Sequence, residues 1–147
     1  PLLVADLGEQ PAEAILREIG EPRLRGMLRL AGYIPNSDLP AIYNRASAFL
    51  YTSLRESFGI PQLEAMACGT PVVTSNTSAI PEVAGEGAIL VDPTDPKAIA
   101  DALLRLETDA AFRARQVAYG LERVKRFSWE KTARHLLALY ESLGKTN

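Results

Sequence analysis

Length, composition and charge place this chain among ordinary globular domains. It has 147 residues, of which 47% are hydrophobic and 23% are charged, and its formal net charge is −2. These values exclude a disordered or low-complexity protein, and they disfavour a general electrostatic association with nucleic acid or with an anionic membrane.

The numbers of cysteines and histidines and the hydropathy pattern exclude further classes of protein. The chain has one cysteine, Cys68, and one histidine, His135, so it has neither a disulfide framework nor a two-histidine metal motif. No apolar run approaches the roughly 20 residues of a membrane span, and we find no signal-peptide pattern. We therefore expect a cytoplasmic protein. Because an apolar run begins directly after Pro1, we also expect the chain to be part of a longer protein.

Short apolar runs alternate with helical patterns over the first 96 residues. The predicted strands are 2–6, 28–33, 48–53, 71–75 and 88–92. The predicted helices between them are 12–19, 37–46, 60–68 and 79–84. This alternation predicts a Rossmann-like α/β fold, in which a parallel sheet of about five strands is flanked by helices.

The pattern after residue 96 is helical throughout. Apolar residues recur at helical spacing within 97–106, 109–126 and 128–143, which predicts three helices with one buried stripe each. Ser128 is the expected N-cap of the last helix. We expect that helix to pack through Trp129, Leu136 and Tyr140, so that residues 1–127 form the body of a domain and 128–147 its terminal helix.

The segment 55–69, RESFGIPQLEAMACG, is the most informative part of the sequence. Gly59 permits a tight turn, and Pro61 suits the first turn of a helix that begins near Ile60. The free N–H groups of such a helix end bind phosphate or another anion. Glu56 and Glu64 flank this turn, and ionised carboxylates accept hydrogen bonds from hydroxyl groups.

A nucleotide-sugar matches this combination, because its diphosphate lies between two hydroxyl-rich rings. Residues 56–96 contain neither Lys nor Arg, so we expect the cations that compensate a diphosphate to come from elsewhere. Each residue taken singly also has an ordinary structural interpretation. Glu64 fits a solvated helix face, Glu56 fits an exposed loop, and Cys68 fits the packing of a helix on a sheet.

The stretch from Gly32 to Pro93 resembles the carboxyl-terminal domain of retaining glycosyltransferases of the GT-B fold, family GT4, also called the glycosyl transferases group 1 family. Its central motif, E-x7-E, runs from Glu56 to Glu64 within ESFGIPQLEAMACGTPVV. The tail from Phe127 to Leu143 is also similar to the end of that family. Within the family, the sequence resembles bacterial mannosyltransferase-like members.

The resemblance implies transfer of a sugar from a nucleotide-sugar to an acceptor hydroxyl, with retained anomeric configuration and with neither metal nor cofactor. It implies that Glu56 contacts the donor sugar near the reacting centre and that Glu64 binds the ribose. Whether Glu56 is a nucleophile stays open. It implies that the backbone at Phe58, Gly59 and Ile60 contacts the sugar and the diphosphate. It also implies that the backbone at Tyr33, Ile34 and Pro35 contacts the base.

The resemblance also implies what the chain needs from outside itself. In the family, the Arg and Lys that clamp the diphosphate precede the part matched here, and an amino-terminal domain supplies the acceptor site and any peripheral contact with a membrane. We therefore expect this chain alone to be inactive. Two alternatives remain, which are a sugar-nucleotide epimerase of the same architecture and a nucleotide-binding module without catalysis. The E-x7-E motif disfavours the first, and the two intact glutamates disfavour the second.

Overall fold

The computed structural model describes residues 1–5 and 9–144, and it describes residues 9–11 and 22 by their backbone only. The strands are β1 Leu2–Ala5, β2 Leu28–Gly32, β3 Phe49–Tyr51, β4 Val72–Ser75 and β5 Ala88–Val91. The α-helices are α1 Glu9–Ile19, α2 Leu39–Arg45, α3 Ile60–Ala67, α4 Ile80–Ala84, α5 Pro96–Thr108, α6 Ala110–Val124 and α7 Trp129–Gly144. Short 3₁₀ helices occupy Pro22–Met27 and Gly85–Gly87. Every predicted strand and helix is present, although the last residue of the predicted strand 2–6 lies outside the described residues.

The chain divides into two compact units, Pro1–Ala41 and Ile42–Asn147. In the first unit β1 and β2 pair in parallel, with Leu2 opposite Leu28 and Val4 opposite Leu30. The helix α1 and the 3₁₀ helix connect these two strands, as parallel pairing requires a crossover.

The second unit contains a three-stranded parallel sheet in the order β3-β4-β5. Parallel pairing of the predicted strands 48–53 and 71–75 is therefore confirmed, with Phe49 opposite Val72. The prediction of one sheet of about five strands needs correction, because the described strands form two hydrogen-bonded sheets of two and three strands. The three residues of β3 pair with β4. The sequence pattern identifies the strands, but it does not show where the hydrogen-bonded ladder of a sheet ends.

The central strand β4 organises the core of the second unit. All four of its residues are buried, as is typical of a parallel strand that is covered on both faces. Val73 clusters with Val91 of β5 and with Ala102 and Leu106 of α5. The apolar stripe predicted for 97–106 is thus the face that packs on the sheet.

Asp95 and Asp109 cap the amino-terminal ends of α5 and α6. The Asp95 carboxylate accepts hydrogen bonds from the backbone N–H groups of Lys97 (2.9 Å) and Ala98 (3.1 Å). The Asp109 carboxylate accepts one from the N–H of Phe112 at 2.8 Å. Each cap stabilises its helix by about 1 kcal/mol, so these helix starts are encoded locally.

The terminal helix α7 begins as predicted but does not pack as predicted. The Ser128 hydroxyl accepts a hydrogen bond from the Lys131 N–H at 3.1 Å, which confirms the N-cap. The packing prediction is wrong within the described chain, because Trp129 is 80% exposed, Leu136 47% and Tyr140 61%. An amphipathic stripe shows which side of a helix would be buried, not whether a partner surface is present. Among the described residues, no helix is long and apolar enough to cross a bilayer.

Candidate functional site

The turn that precedes α3 depends on Gly59. Its φ of +85° lies in the left-handed region, which costs a residue with a Cβ roughly 1–2 kcal/mol. A Cβ at this position would come within 2.9 Å of the Gln62 side-chain nitrogen. Pro61 occupies the first turn of α3, where its missing N–H breaks no helical hydrogen bond. The predicted tight turn and the helix start at Ile60 are both confirmed.

The surroundings of this turn are accessible at the level of side chains. Phe58 is 39% exposed and Ile60 is 46% exposed, whereas the backbone of Gly59 between them is buried. The N-cap of α3 is Gly59, which has no side chain to accept from the first N–H groups of the helix. Pro61 has no N–H, and the Gln62 N–H donates to the Gly59 carbonyl at 3.3 Å, so the donors expected to meet an anion here are the N–H groups of Gly59 and Ile60. The anion-binding role of these amides remains a prediction.

The side chain of Gln62 supports the turn through a hydrogen bond. That side chain is completely buried, and its Nε2 donates a hydrogen bond to the Phe58 carbonyl at 3.4 Å. Its Oε1 has no partner among the described residues. A buried amide of this kind is costly unless it is bonded, and here it fixes the loop whose amides were predicted to meet the ligand. Gln62 was not singled out from the sequence, because one polar residue in a helix normally faces solvent and gives no signal of burial.

Glu56 lies in the loop between β3 and α3, and a tyrosine holds its carboxylate. The Tyr51 hydroxyl donates to Glu56 Oε1 at 2.6 Å, a length typical of a charge-assisted hydrogen bond. This bond is the main reason that the pKa of the Glu56 carboxyl lies below its ordinary value, with the Ser53 hydroxyl as the second cause. Burial raises the pKa of Tyr51, and its bond to Glu56 raises it further. Glu56 therefore stays ionised and Tyr51 stays protonated at neutral pH.

A ladder of hydroxyl groups fixes the backbone of the segment 51–56. The donors lie in β4 and in the loop after it, and the acceptors are carbonyls of β3 and the loop after it. The bonds run from Thr74 to Tyr51 (2.9 Å), from Ser75 to Ser53 (2.6 Å), from Thr77 to Leu54 (3.3 Å) and from Ser78 to Glu56 (2.6 Å). They continue the attachment of β3 to β4 beyond the end of the strand ladder.

Ser78 is the last member of this ladder and has an unusual backbone. Its φ is +60°, the one positive value among the described residues other than glycine. Its hydroxyl donates to the Glu56 carbonyl and accepts from the Glu56 N–H at 3.2 Å. A residue with a Cβ adopts this φ only where its surroundings compensate the cost, and here the two bonds to Glu56 do so.

Glu64 lies within α3, and a second tyrosine contacts it. The Tyr43 hydroxyl of α2 donates to Glu64 Oε2 at 3.3 Å, which is long for a bond between two oxygens. Burial, followed by the charge of Glu64, raises the pKa of Tyr43 to about 12. The Glu64 side chain is otherwise exposed, so one carboxylate oxygen remains available.

An aromatic chain connects the two glutamates. The rings of Tyr43 and Phe49 meet edge to face with centroids 5.2 Å apart, and those of Phe49 and Tyr51 stack at 5.8 Å. Phe49 and Tyr51 alternate along β3 and so point to the same face of the sheet. The alternation was visible in the sequence for Tyr51, whereas nothing in the sequence pointed to the contact between Tyr43 of α2 and Glu64.

The Phe58 side chain is supported from the end of α6. Its ring meets that of Phe127 edge to face, with centroids 5.7 Å apart. The Arg123 guanidinium lies 5.0 Å from the Phe127 ring, and it donates to the carbonyls of Val83, at 2.9 Å, and of Glu82. The Arg123 guanidinium is thus engaged with carbonyl oxygens.

Tyr33 and Ile34 belong to the first unit, in the segment that follows β2. Tyr33 is 77% exposed and Ile34 is half-buried. Their predicted contact with a base remains a prediction. In the part of the chain that the structure describes, no group of three or more His, Cys, Asp or Glu side chains is placed to hold a metal ion.

Solved structures of other proteins share the fold of this chain. The chain is similar to sucrose-phosphate synthase from Thermosynechococcus elongatus, with 30% identity and a TM-score of 0.84 over 99% of this chain and 39% of that one. It shares its fold with Anabaena HepE, solved in complex with UDP-glucose, at 21% identity and a TM-score of 0.82 over 95% of this chain and 40% of that one. The fold is therefore that of a GT-B glycosyltransferase domain.

Residues 2–123 match the family described as "Glycosyl transferases group 1", and the chain belongs to this family. O-antigen chain mannosyltransferase B of Escherichia coli is 42% identical over 118 residues, which cover 80% of this chain and 31% of that protein. The chain thus spans about a third of the length of this curated relative.

Proposed function

We propose that this chain is the donor-binding part of a retaining glycosyltransferase that transfers a sugar from a nucleoside-diphosphate sugar to an acceptor hydroxyl. The observation that carries the proposal is the arrangement around α3. Two carboxylates at E-x7-E spacing flank a glycine turn, each is held through one oxygen by a tyrosine hydroxyl, and the helix start between them offers backbone donors.

The chemistry of the donor assigns the roles. Glu64 accepts hydrogen bonds from the ribose hydroxyls through its other carboxylate oxygen, because Tyr43 donates only to Oε2 and an ionised carboxylate has two acceptor oxygens. The N–H groups around Phe58, Gly59 and Ile60 bind the diphosphate and sugar oxygens. Glu56 accepts from hydroxyls of the donor sugar near the bond that breaks. Its low pKa makes it a poor proton acceptor and a persistent negative charge, which favours stabilisation of a positively charged transition state at the sugar.

Mannose is the proposed donor sugar. The similarity to a protein named O-antigen chain mannosyltransferase B supports this choice, and HepE, which shares the fold, was solved with a nucleotide-sugar. We further propose that the acceptor site and the cations that clamp the diphosphate come from polypeptide outside this chain, and that the reaction requires no metal. The chain alone would then bind the donor weakly and would not transfer the sugar.

The test is a donor panel on the full-length protein that contains this chain. We expect transfer from a mannose nucleotide to a hydroxyl acceptor, with the anomeric configuration of the donor retained in the product and with activity unchanged by a chelator. Interconversion of nucleotide-sugars without an acceptor would instead identify an epimerase. Binding of the nucleotide without turnover on any donor and acceptor would identify a non-catalytic module, and inhibition by a chelator would contradict the metal-independent mechanism.

A further inference from the structure

The two glutamates of the motif do not stand alone, because each accepts a hydrogen bond from a tyrosine of another element. We propose that Tyr51 is the positioning residue of Glu56, which fixes Oε1 so that Oε2 faces the donor sugar. The inference rests on the proposed function and deepens it, since it names a group that the E-x7-E motif does not include.

Three contacts restrain Tyr51 itself. Its carbonyl accepts from the Thr74 hydroxyl at 2.9 Å, its ring stacks on Phe49 at 5.8 Å, and its hydroxyl donates to Glu56 at 2.6 Å. A side chain fixed at both backbone and ring transfers its own position to the group it bonds. Through Tyr51, the rigid β3-β4 pair therefore sets the direction of a carboxylate that lies in a loop.

The backbone of Glu56 is restrained independently. Ser78 bonds both the N–H and the carbonyl of Glu56, so the main chain is fixed from the β4 side and the side chain from the β3 side. With the main chain held, removal of the tyrosine hydroxyl releases the carboxylate without releasing the loop. Such a substitution therefore separates orientation of the carboxylate from stability of the fold.

The hydrogen bond also stabilises the ionised form of Glu56. The Tyr51 and Ser53 hydroxyls both stabilise the carboxylate and lower its pKa, and no ion pair of Glu56 is recorded among the described residues. Tyr51 in turn interacts with Tyr43, and Tyr43 interacts with Glu64 and Cys68. The bond to Tyr51 is the main influence on the pKa of the Glu56 carboxyl.

The Tyr43–Glu64 pair provides an internal contrast. Its oxygen–oxygen distance is 3.3 Å against 2.6 Å for Tyr51–Glu56, so the same deletion of a hydroxyl should matter less there. Tyr43→Phe is expected to weaken nucleotide binding slightly without a change in the acid limb of turnover. Tyr51→Phe is expected to shift the acid limb of turnover and to leave nucleotide binding nearly unchanged, because its partner Glu56 lies at the sugar end of the proposed site.

The experiment compares Tyr51→Phe with Tyr119→Phe in the full-length protein. Tyr119 is exposed on α6, so the control deletes the same hydroxyl outside the site. For Tyr51→Phe we expect kcat to fall about ten- to a hundredfold, the range of one hydrogen bond to a charged group, with nucleotide affinity within twofold of wild type. Loss of a bond that favours the charged carboxylate raises its pKa, so the acid limb of the pH profile should move to higher pH.

A double-variant cycle tests the route of the effect. If Tyr51 acts through Glu56, Tyr51→Phe should add nothing to the loss that Glu56→Gln causes. Additive losses, or unchanged kcat and pH profile in Tyr51→Phe, would overturn the positioning role. A lowered melting temperature, with a fall in turnover no larger than the loss of folded protein, would overturn it too. That result would show a purely structural contribution of Tyr51.

A measurement that needs no activity separates this inference from the proposed function. The Glu56 carboxyl carbon, observed by NMR in wild type and in Tyr51→Phe, should titrate at higher pH in the variant. An unshifted titration overturns the role of Tyr51 whatever the enzyme does. A shifted titration in a protein that transfers no sugar from any donor would uphold the Tyr51–Glu56 contact and overturn the glycosyltransferase proposal.

Discussion

Substitution of Gly59 tests the structure of the donor turn directly. Gly59→Ala adds a Cβ at a φ of +85°, where it would lie 2.9 Å from Gln62 Nε2. The backbone conformation alone costs roughly 1–2 kcal/mol, and overpacking against a buried side chain typically adds about 1–3 kcal/mol. Because Gln62 is completely buried, it has little freedom to move away. We expect the two contributions together to reduce the free energy of unfolding by about 2–5 kcal/mol.

A matched control separates these two contributions. Gly20 also has a positive φ, +71°, but a Cβ there meets nothing within 4 Å. Gly20→Ala should therefore cost only the backbone term, roughly 1–2 kcal/mol. The double variant Gly59→Ala/Gln62→Ala removes the group that the Cβ meets, so its coupling should be favourable when measured against the two single variants.

Urea denaturation of the variants supplies the free energies, and a nucleotide-binding assay follows the site. We expect Gly59→Ala to weaken nucleotide binding as well, because the displaced amide of Gln62 holds the Phe58 carbonyl at 3.4 Å. Equal unfolding costs at Gly59 and Gly20 would refute the steric argument. Unchanged nucleotide affinity in a destabilised Gly59→Ala would refute the assignment of this turn to the donor.

Three further predictions concern the glutamates, the hydroxyl ladder and the terminal helix. Glu64→Gln should weaken nucleotide binding roughly tenfold, whereas Glu56→Gln should lower turnover more than affinity; identical effects of the two variants would contradict the separate roles. Ser78→Ala should destabilise the protein more than Ser78→Gly, by roughly 1 kcal/mol in unfolding experiments, because only glycine relieves the φ of +60°; the reverse order would exclude backbone strain at this position. Trp129→Ala should change the stability of this chain by less than about 0.5 kcal/mol, because the ring is 80% exposed; a loss of roughly 3–5 kcal/mol would mean that the ring is buried.

Much of the fold was predictable because its signals are local. The apolar run of β4, the aspartates that cap α5 and α6, and the Gly59–Pro61 junction all act within a few residues of where they stand. A helix start or a buried strand is specified by short-range sterics and hydrogen bonding, so the sequence alone identified these elements and the E-x7-E segment between them. The resemblance to glycosyltransferases rested on the same contiguous residues.

The support of the site was decided by tertiary structure. The Ser78 hydroxyl and the Glu56 carbonyl are 22 residues apart in the chain, and the Tyr43 hydroxyl and Glu64 are 21 apart. These bonds depend on the alignment of β3 with β4 and on the position of α2, which no local pattern encodes. The exposure of Trp129 was hidden for the same reason, because a stripe on a helix specifies a face, and only the presence of a packed neighbour decides whether that face is buried.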